Sequence, residues 1–215
     1  MKRLLVLRPE PGNRETVERA LDMGLLPVAC PLFAVEAAEW TAPDPRDFNA
    51  ILFTSANALR HGGKKLAGLT TLPALAVGPA TADAARAKGF SVATTGNEGV
   101  GALLAALPER KYLLHLTGVD HHSPPTKHAV EAIPVYRSVA LLVALIPPGE
   151  LVVMVHSPRA GERLSALVAD RSTISVAAIS AAAAAACGPG WAAMEIADRP
   201  NDSALLAVAA RLCQD

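Results

Sequence analysis

"ILFTSANAL", Ile51 to Leu59, is an apolar run stopped by Thr54-Ser55 and followed at once by a helix start, and "VMVHSPRAG", Val153 to Gly161, builds the same corner again. The two corner serines lie 102 positions apart (157 − 55). At that single ungapped offset "LAVGPATADAA" (75–85) falls on "AAISAAAAAAC" (177–187), and "ALLA" (102–105) falls on "ALLA" (204–207). Much of the identity is alanine. The agreement of strand, corner and helix positions over about sixty residues is what marks an internal duplication.

Working outward, short apolar runs alternate with helical patterns along the chain. "RLLVL", "AILFTS", "PALAVG", "YLLHLTG", "LVVMVHS" and "TISVAAIS" read as strands. Uninterrupted apolar strands are covered on both faces, which is the signature of parallel sheets with helices on each side. Helices are expected at 12–23, 56–66, 80–88, 100–107, 159–169 and 202–212. The fold class is therefore α/β, with two similar doubly wound, flavodoxin-like parallel-sheet domains. "VACPLFAVEA" (28–37) and "EAIPVYRSVAL" (131–141) resemble each other as extended connectors. The chain is expected to start one domain (1–33), cross over, build the second (37–130), and cross back to finish the first (139–215), with the connectors side by side as a two-stranded β ladder.

With 215 residues, 20 basic and 20 acidic side chains and no net charge, the chain lacks the electrostatic footprint of a nucleic-acid or anionic-membrane binder. Cys30, Cys187 and Cys213 are far apart and form no C-x-x-C pair, which argues against a disulfide framework or a thiolate metal site and for a reducing cytoplasm. The apolar run of "MKRLLVLRPEPG", Leu4 to Leu7, is too short for a secretory signal, so none is expected. The uncharged stretch 172–194 is long enough for a membrane span. Its alanine richness and the "GPG" at 188–190 favour a buried strand running into a small-residue helix.

In open parallel sheets, ligands sit at the carboxyl ends of strands, where helix N-termini offer free N–H groups. Four corners fall there: Thr54-Ser55-Ala56-Asn57, Gly78-Pro79-Ala80-Thr81, His156-Ser157-Pro158-Arg159 and Ser180-Ala181-Ala182. Facing each other across a cleft, they would form an anion cradle. Each serine can equally serve as a helix cap, and the roles are compatible. Arg159 adds a fork of donors suited to a carboxylate. "GNEGVG" (96–101) spaces its glycines unlike the dinucleotide fingerprint and is not expected to follow a strand directly. "HHSPPTKH", with His121, His122 and His128, reads as a solvated loop in preference to a metal site. Neither corner serine has the glycines of a hydrolase elbow. Tyr136 in "PVYRSV" is an aromatic with a polar tip on a connector, placed either to line the cleft or to pack the ladder.

Taken in order, "LRPEPGN", "ILFTSANAL", "LAVGPATADAARAKGF", "IPVYRSV" and "VMVHSPRAGERL" resemble the motifs of the uroporphyrinogen-III synthase family over essentially the whole chain. The resemblance implies two α/β domains joined by a two-stranded ladder. It also implies an enzyme, a hydro-lyase that dehydrates and cyclises hydroxymethylbilane, a polycarboxylate tetrapyrrole, with inversion of ring D through a spiro intermediate. No cofactor and no metal are implied. By the same resemblance Tyr136 assists departure of the hydroxyl and Ser55, Thr81 and Ser157 stand at the family's polar positions; with Ala56, Asn57, Gly78, Arg159 and Ser180 of the strand-end corners they are expected to bind substrate. A monomer is expected, with a hydroxymethylbilane synthase upstream. The chain departs from the family pattern where "ISAAAAAA" replaces a threonine-bearing corner and where Asn57 stands at a common arginine position. A two-lobed small-ligand sensor and a decayed synthase paralogue are the alternatives.

Overall fold

The computed structural model describes residues 1–121, 125–142, 146–147 and 149–214. In chain order the elements are β1 (Arg3–Val6), α1 (Gly12–Asp22), β2 (Leu26–Ala29), β3 (Phe33–Ala37), β4 (Ala50–Phe53), α2 (Ala56–His61), β5 (Ala74–Val77), α3 (Pro79–Ala87), β6 (Val92–Gly96), α4 (Val100–Ala105), β7 (Tyr112–Gly118), β8 (Ala129–Ala140), β9 (Leu151–Val155), α5 (Pro158–Leu167), β10 (Ile174–Ala178), α6 (Ala181–Cys187), β11 (Ala193–Ile196) and α7 (Asp202–Gln214). The chain divides into two compact units, Met1–Ala34 with Val139–Asp215, and Val35–Ser138. The expected class, two α/β units built on parallel sheets, is what forms.

The first unit holds a five-stranded sheet in the order β11-β10-β9-β1-β2, parallel throughout. Its central strand β9 is apolar and buried at every position because successive side chains enter opposite cores. Leu151, Val153 and Val155 of β9 join Leu5, Leu7, Leu164 and Cys187 on the α5/α6 face. Val152 and Met154 join Leu4, Val6, Leu205 and Leu212 on the α7 face. The small residues on the buried face of α6, Ala183 and Cys187, have a packing cause. A Cβ on Gly161 of α5 would lie 2.8 Å from the Ala183 carbonyl oxygen and 3.0 Å from Cys187 Sγ, so only small residues let these helices approach this closely.

The second unit's sheet runs β3-β8-β7-β4-β5-β6. From β8 to β6 the pairing is parallel. The β3–β8 ladder bonds Ala38 N–H to the Val135 carbonyl, and Leu141 N–H bonds the Leu32 carbonyl, an antiparallel register. Ile51, Phe53, Leu114 and Leu116 pack with Ala58, Leu59 and Ala85 of α2 and α3, while Ala50, Leu52 and Leu113 pack with Leu103 and Leu104 of α4.

The duplication seen in the sequence is a spatial one. The run β4-α2-β5-α3-β6-α4 corresponds to β9-α5-β10-α6-β11-α7, and with the extra edge strand β3 set aside both sheets have the same order once β7 and β8 are matched with β1 and β2. One unit is thus a circular permutation of the other.

Three local expectations are corrected. The helix expected at 56–66 ends at His61; Gly62 and Gly63 follow, Gly63 at φ +68, and a 3₁₀ turn takes over at Gly63–Leu69. "GNEGVG" does follow a strand directly, because β6 ends at Gly96. His128 is buried and not solvated: its Nδ1 accepts from Lys111 N–H at 3.1 Å, and its Nε2 lies 2.9 Å from the Leu104 carbonyl oxygen. His122 lies outside the described residues. The 172–194 stretch forms β10 and α6, and no helix among the described residues is long and apolar enough to cross a membrane.

Candidate functional site

In a doubly wound sheet the ligand crevice opens at the carboxyl ends of the two strands where the winding reverses. Those strands are β4 and β7 in the second unit, and β9 and β1 in the first.

At the β4 end, Ser55 is extended (φ −151°, ψ 141°) and its Oγ accepts from Asn57 N–H at 3.2 Å, capping α2. A capping hydroxyl accepts with a lone pair and keeps its O–H to donate elsewhere. Ala56 is buried behind it, and Asn57 Oδ1 accepts from Arg60 Nη1 at 3.1 Å. At the neighbouring β5 end, Gly78 adopts φ +104°, ψ 157°, a conformation that requires glycine; Pro79 then opens α3, and Thr81 is buried in its first turn. At the β7 end, Gly118 faces Tyr136 of β8, whose half-buried ring packs against the α2/α3 core and stands 6.4 Å from the His61 ring. The second unit therefore gathers Ser55, Ala56, Asn57, Gly78, Thr81 and Tyr136 along one sheet edge.

In the first unit, Ser157 Oγ accepts from Ala160 N–H at 3.2 Å and Ser180 Oγ from Ala183 N–H at 3.3 Å, so α5 and α6 are capped in the same manner. Arg159 is exposed, with its guanidinium carbon 4.7 Å from the centroid of the Phe33 ring.

Two groups at these edges escaped the sequence reading. In the second unit, Thr54 Oγ1 and His115 Nε2 are 3.0 Å apart, and His121 meets the His115 ring edge-on at 5.9 Å. Burial and the neighbouring His121 push the His115 imidazole down to about 4. The fold thus favours the neutral ring. As pH falls through about 6.5 the unfolded chain takes up the proton first, and stability is lost from there down to the folded value, in total about 3 kcal/mol. Urea unfolding at pH 7 and at pH 4.5 checks this. His115→Gln should flatten the difference, and an equally steep loss in the variant would rule His115 out as its source.

In the first unit, Asp202 at the start of α7 accepts through Oδ1 from Arg8 Nη1 (2.9 Å), Thr16 Oγ1 (2.8 Å) and His156 Nε2 (2.7 Å), and Arg19 stands 2.7 Å from Oδ2. Burial works against this carboxylate. Hydrogen bonds from His156 and Thr16 and the charges of His156 and Arg19 outweigh it and hold the carboxyl at about 2. Asn13, fully buried, donates through Nδ2 to the carbonyls of Val6 (2.7 Å) and Arg8 (3.0 Å), pinning the β1 corner beside it. His156 occupies the position equivalent to Thr54 under the 102-residue offset, the only sequence signal that pointed toward this group. Among the described residues no group of three His, Cys, Asp or Glu side chains could hold a metal ion.

A family model described as uroporphyrinogen-III synthase HemD matches residues 14–207. No curated protein matches the sequence. Among solved structures, the fold is similar to the crystal structure of uroporphyrinogen-III synthetase from Helicobacter pylori 26695, with a TM-score of 0.71 and 21% identity, covering 99% of this chain and 100% of that one. It is also similar to a mutant uroporphyrinogen III synthase from the extremely thermophilic bacterium Thermus thermophilus, with a TM-score of 0.54 and 18% identity, covering 100% of this chain and 99% of that one. At such identities the likeness speaks for the fold.

Proposed function

Because the chain belongs to the uroporphyrinogen-III synthase family, we propose that its sheet-edge corners hold the carboxylates of hydroxymethylbilane and that Tyr136 assists loss of the hydroxyl. The enzyme dehydrates and cyclises that linear tetrapyrrole to uroporphyrinogen III, with ring D inverted. Left alone, the substrate closes without inversion, so the protein's task is to fold the chain and aim the substituted carbon of ring D at the electrophile left by the departing hydroxyl.

The observation that carries this reading is the repeated corner. At Ser55, Ser157 and Ser180 a hydroxyl caps a helix that follows directly on a parallel strand, and Gly78 brings α3 to an equivalent place. Such corners offer backbone N–H groups and hydroxyl donors to acetate and propionate groups without a large fixed positive charge, which suits a chain of zero net charge. Ser55, Ala56, Asn57, Gly78 and Thr81 bind at the sheet edge of the second unit, and Ser157, Arg159 and Ser180 at that of the first. On the buried face of α6, Ala183 and Cys187 belong to the close packing of α5 on α6. In this reading the enzyme works as a cytoplasmic monomer and receives its short-lived substrate from a hydroxymethylbilane synthase. Cys30, Cys187 and Cys213 are buried and not joined in disulfides, which fits a reducing compartment.

The test is to supply enzymatically generated hydroxymethylbilane to the purified protein, oxidise the products, and separate type I from type III uroporphyrin by chromatography. Type III is expected to predominate. Type I at the protein-free level would refute the reading.

A further inference from the structure

We propose that Gly118, together with a β-bulge opposite it, sets the position of the Tyr136 phenol. The inference deepens the role given to Tyr136 above and rests on that reading for its catalytic consequence.

Strands β7 and β8 pair in step from Tyr112↔Ala129 to Thr117↔Pro134, then slip so that Gly118 faces Tyr136 and Val135 is skipped. Side chains alternate along a strand, so a one-residue slip decides which neighbour a side chain meets. Val135 is fully buried in the core formed by Phe53, Leu114 and Leu116, and the next residue, Tyr136, is brought over the end of β7. The chain is held beyond the slip by Val119 N–H donating to the Tyr136 carbonyl at 3.0 Å.

The ring then occupies the space a side chain at 118 would need. A Cβ there would lie 2.7 Å from Tyr136 Cε2, 2.9 Å from Cζ and 3.2 Å from the phenol oxygen. Gly118 is not in the left-handed region, so its backbone suits alanine. What alanine cannot do is share the volume with the ring. Restoring ordinary van der Waals contact moves the phenol by on the order of 1 Å, and a misplacement of that size can cost a reacting group about a hundredfold in rate.

The chain has two tyrosines, Tyr112 and Tyr136. Protein labelled with 3-fluorotyrosine therefore gives two fluorine resonances, and Tyr112→Phe assigns them. Gly118→Ala is expected to move the Tyr136 resonance, leave that of Tyr112 in place, and slow type III formation about a hundredfold. In a Tyr136→Ala background, Gly118→Ala should cost nothing further, the coupling expected of two groups that compete for one space. An unmoved Tyr136 resonance with parental turnover overturns the inference. Should Gly118→Ala alone fail to fold, the double variant, relieved of the ring, is expected to fold; its failure too would overturn the inference. A moved resonance combined with a fully active Tyr136→Phe supports the placement and refutes only the catalytic role given to Tyr136.

Discussion

Tyr136→Phe is expected to slow formation of the type III isomer by about a hundredfold, the usual scale for losing a positioned general acid. The hydroxyl of the substrate leaves readily only as water, so it must gain a proton as its bond to carbon breaks. Among the corner residues, Ser55, Ser157 and Ser180 cap helices with a lone pair and keep an O–H to donate, but an aliphatic hydroxyl is a very weak acid. A phenol is the stronger acid and stands at the same sheet edge as Ser55 and Gly78. The substitution removes one oxygen and keeps the ring packed against the α2/α3 core, so the unfolding free energy should change by no more than about 0.5 kcal/mol. Rate and isomer ratio separate the possible roles. A slower reaction with the ratio retained marks proton donation, whereas a rising type I fraction at unchanged rate marks positioning. Parental rate and ratio together would remove Tyr136 from the mechanism.

The second large effect belongs to stability. Asp202→Ala should destabilise the protein by about 3 kcal/mol, because it strips a buried acceptor from Arg8, Thr16 and His156 at once and leaves charge without its counterpart. Arg8 and Arg19 keep 29% and 43% of their side chains exposed, so water recovers part of the loss, which keeps the figure at the low end for a broken buried pair. The pH dependence has a definite sign. The folded carboxyl sits at about 2, below its unfolded value, so its stabilisation is complete above about pH 4 and disappears as pH falls toward 2. That window lies below the one assigned to His115, and acid titrations of the two variants should lose separate segments of the parental curve. Denaturant unfolding at pH 7 decides the main point. A change below about 0.5 kcal/mol would show the network to be dispensable.

The fully buried strands of the sheet interior were plain in the sequence, β3 and β8 were legible as the paired connectors, and the edge strands β6 and β11 were not. β4 and β9 are buried along their whole length and appear as unbroken apolar runs, and β10 is equally buried with Ser175 as its one polar residue. β6 and β11 lie at sheet edges, with alternating half-buried and exposed positions, and "VATTG" and "AMEI" are too short and too polar to stand out. β2, also an edge, contains Pro27, which an edge strand accepts because one side of it needs no ladder partner. The missed edge strand β6 is also why the glycine-rich segment after it was read as detached from any strand.

The site divides along the same line. Each serine corner was legible because a helix cap is a local event: the serine, the N–H it accepts from and the strand before it lie within a few residues. The Asp202 network joins side chains 186 and 194 positions apart, and the Gly118–Tyr136 contact depends on a slip in strand pairing. Neither leaves a periodic trace. Burial pattern and capping chemistry are short-range and repeat with the element, so the duplicated α/β architecture and its corners are written in consecutive residues. Which side chains following β1 and β9 meet the carboxylate at the start of α7, and which side chain a bulge delivers to the end of β7, follow from the order and register of strands distant in the chain, and those exist only once the sheets have formed.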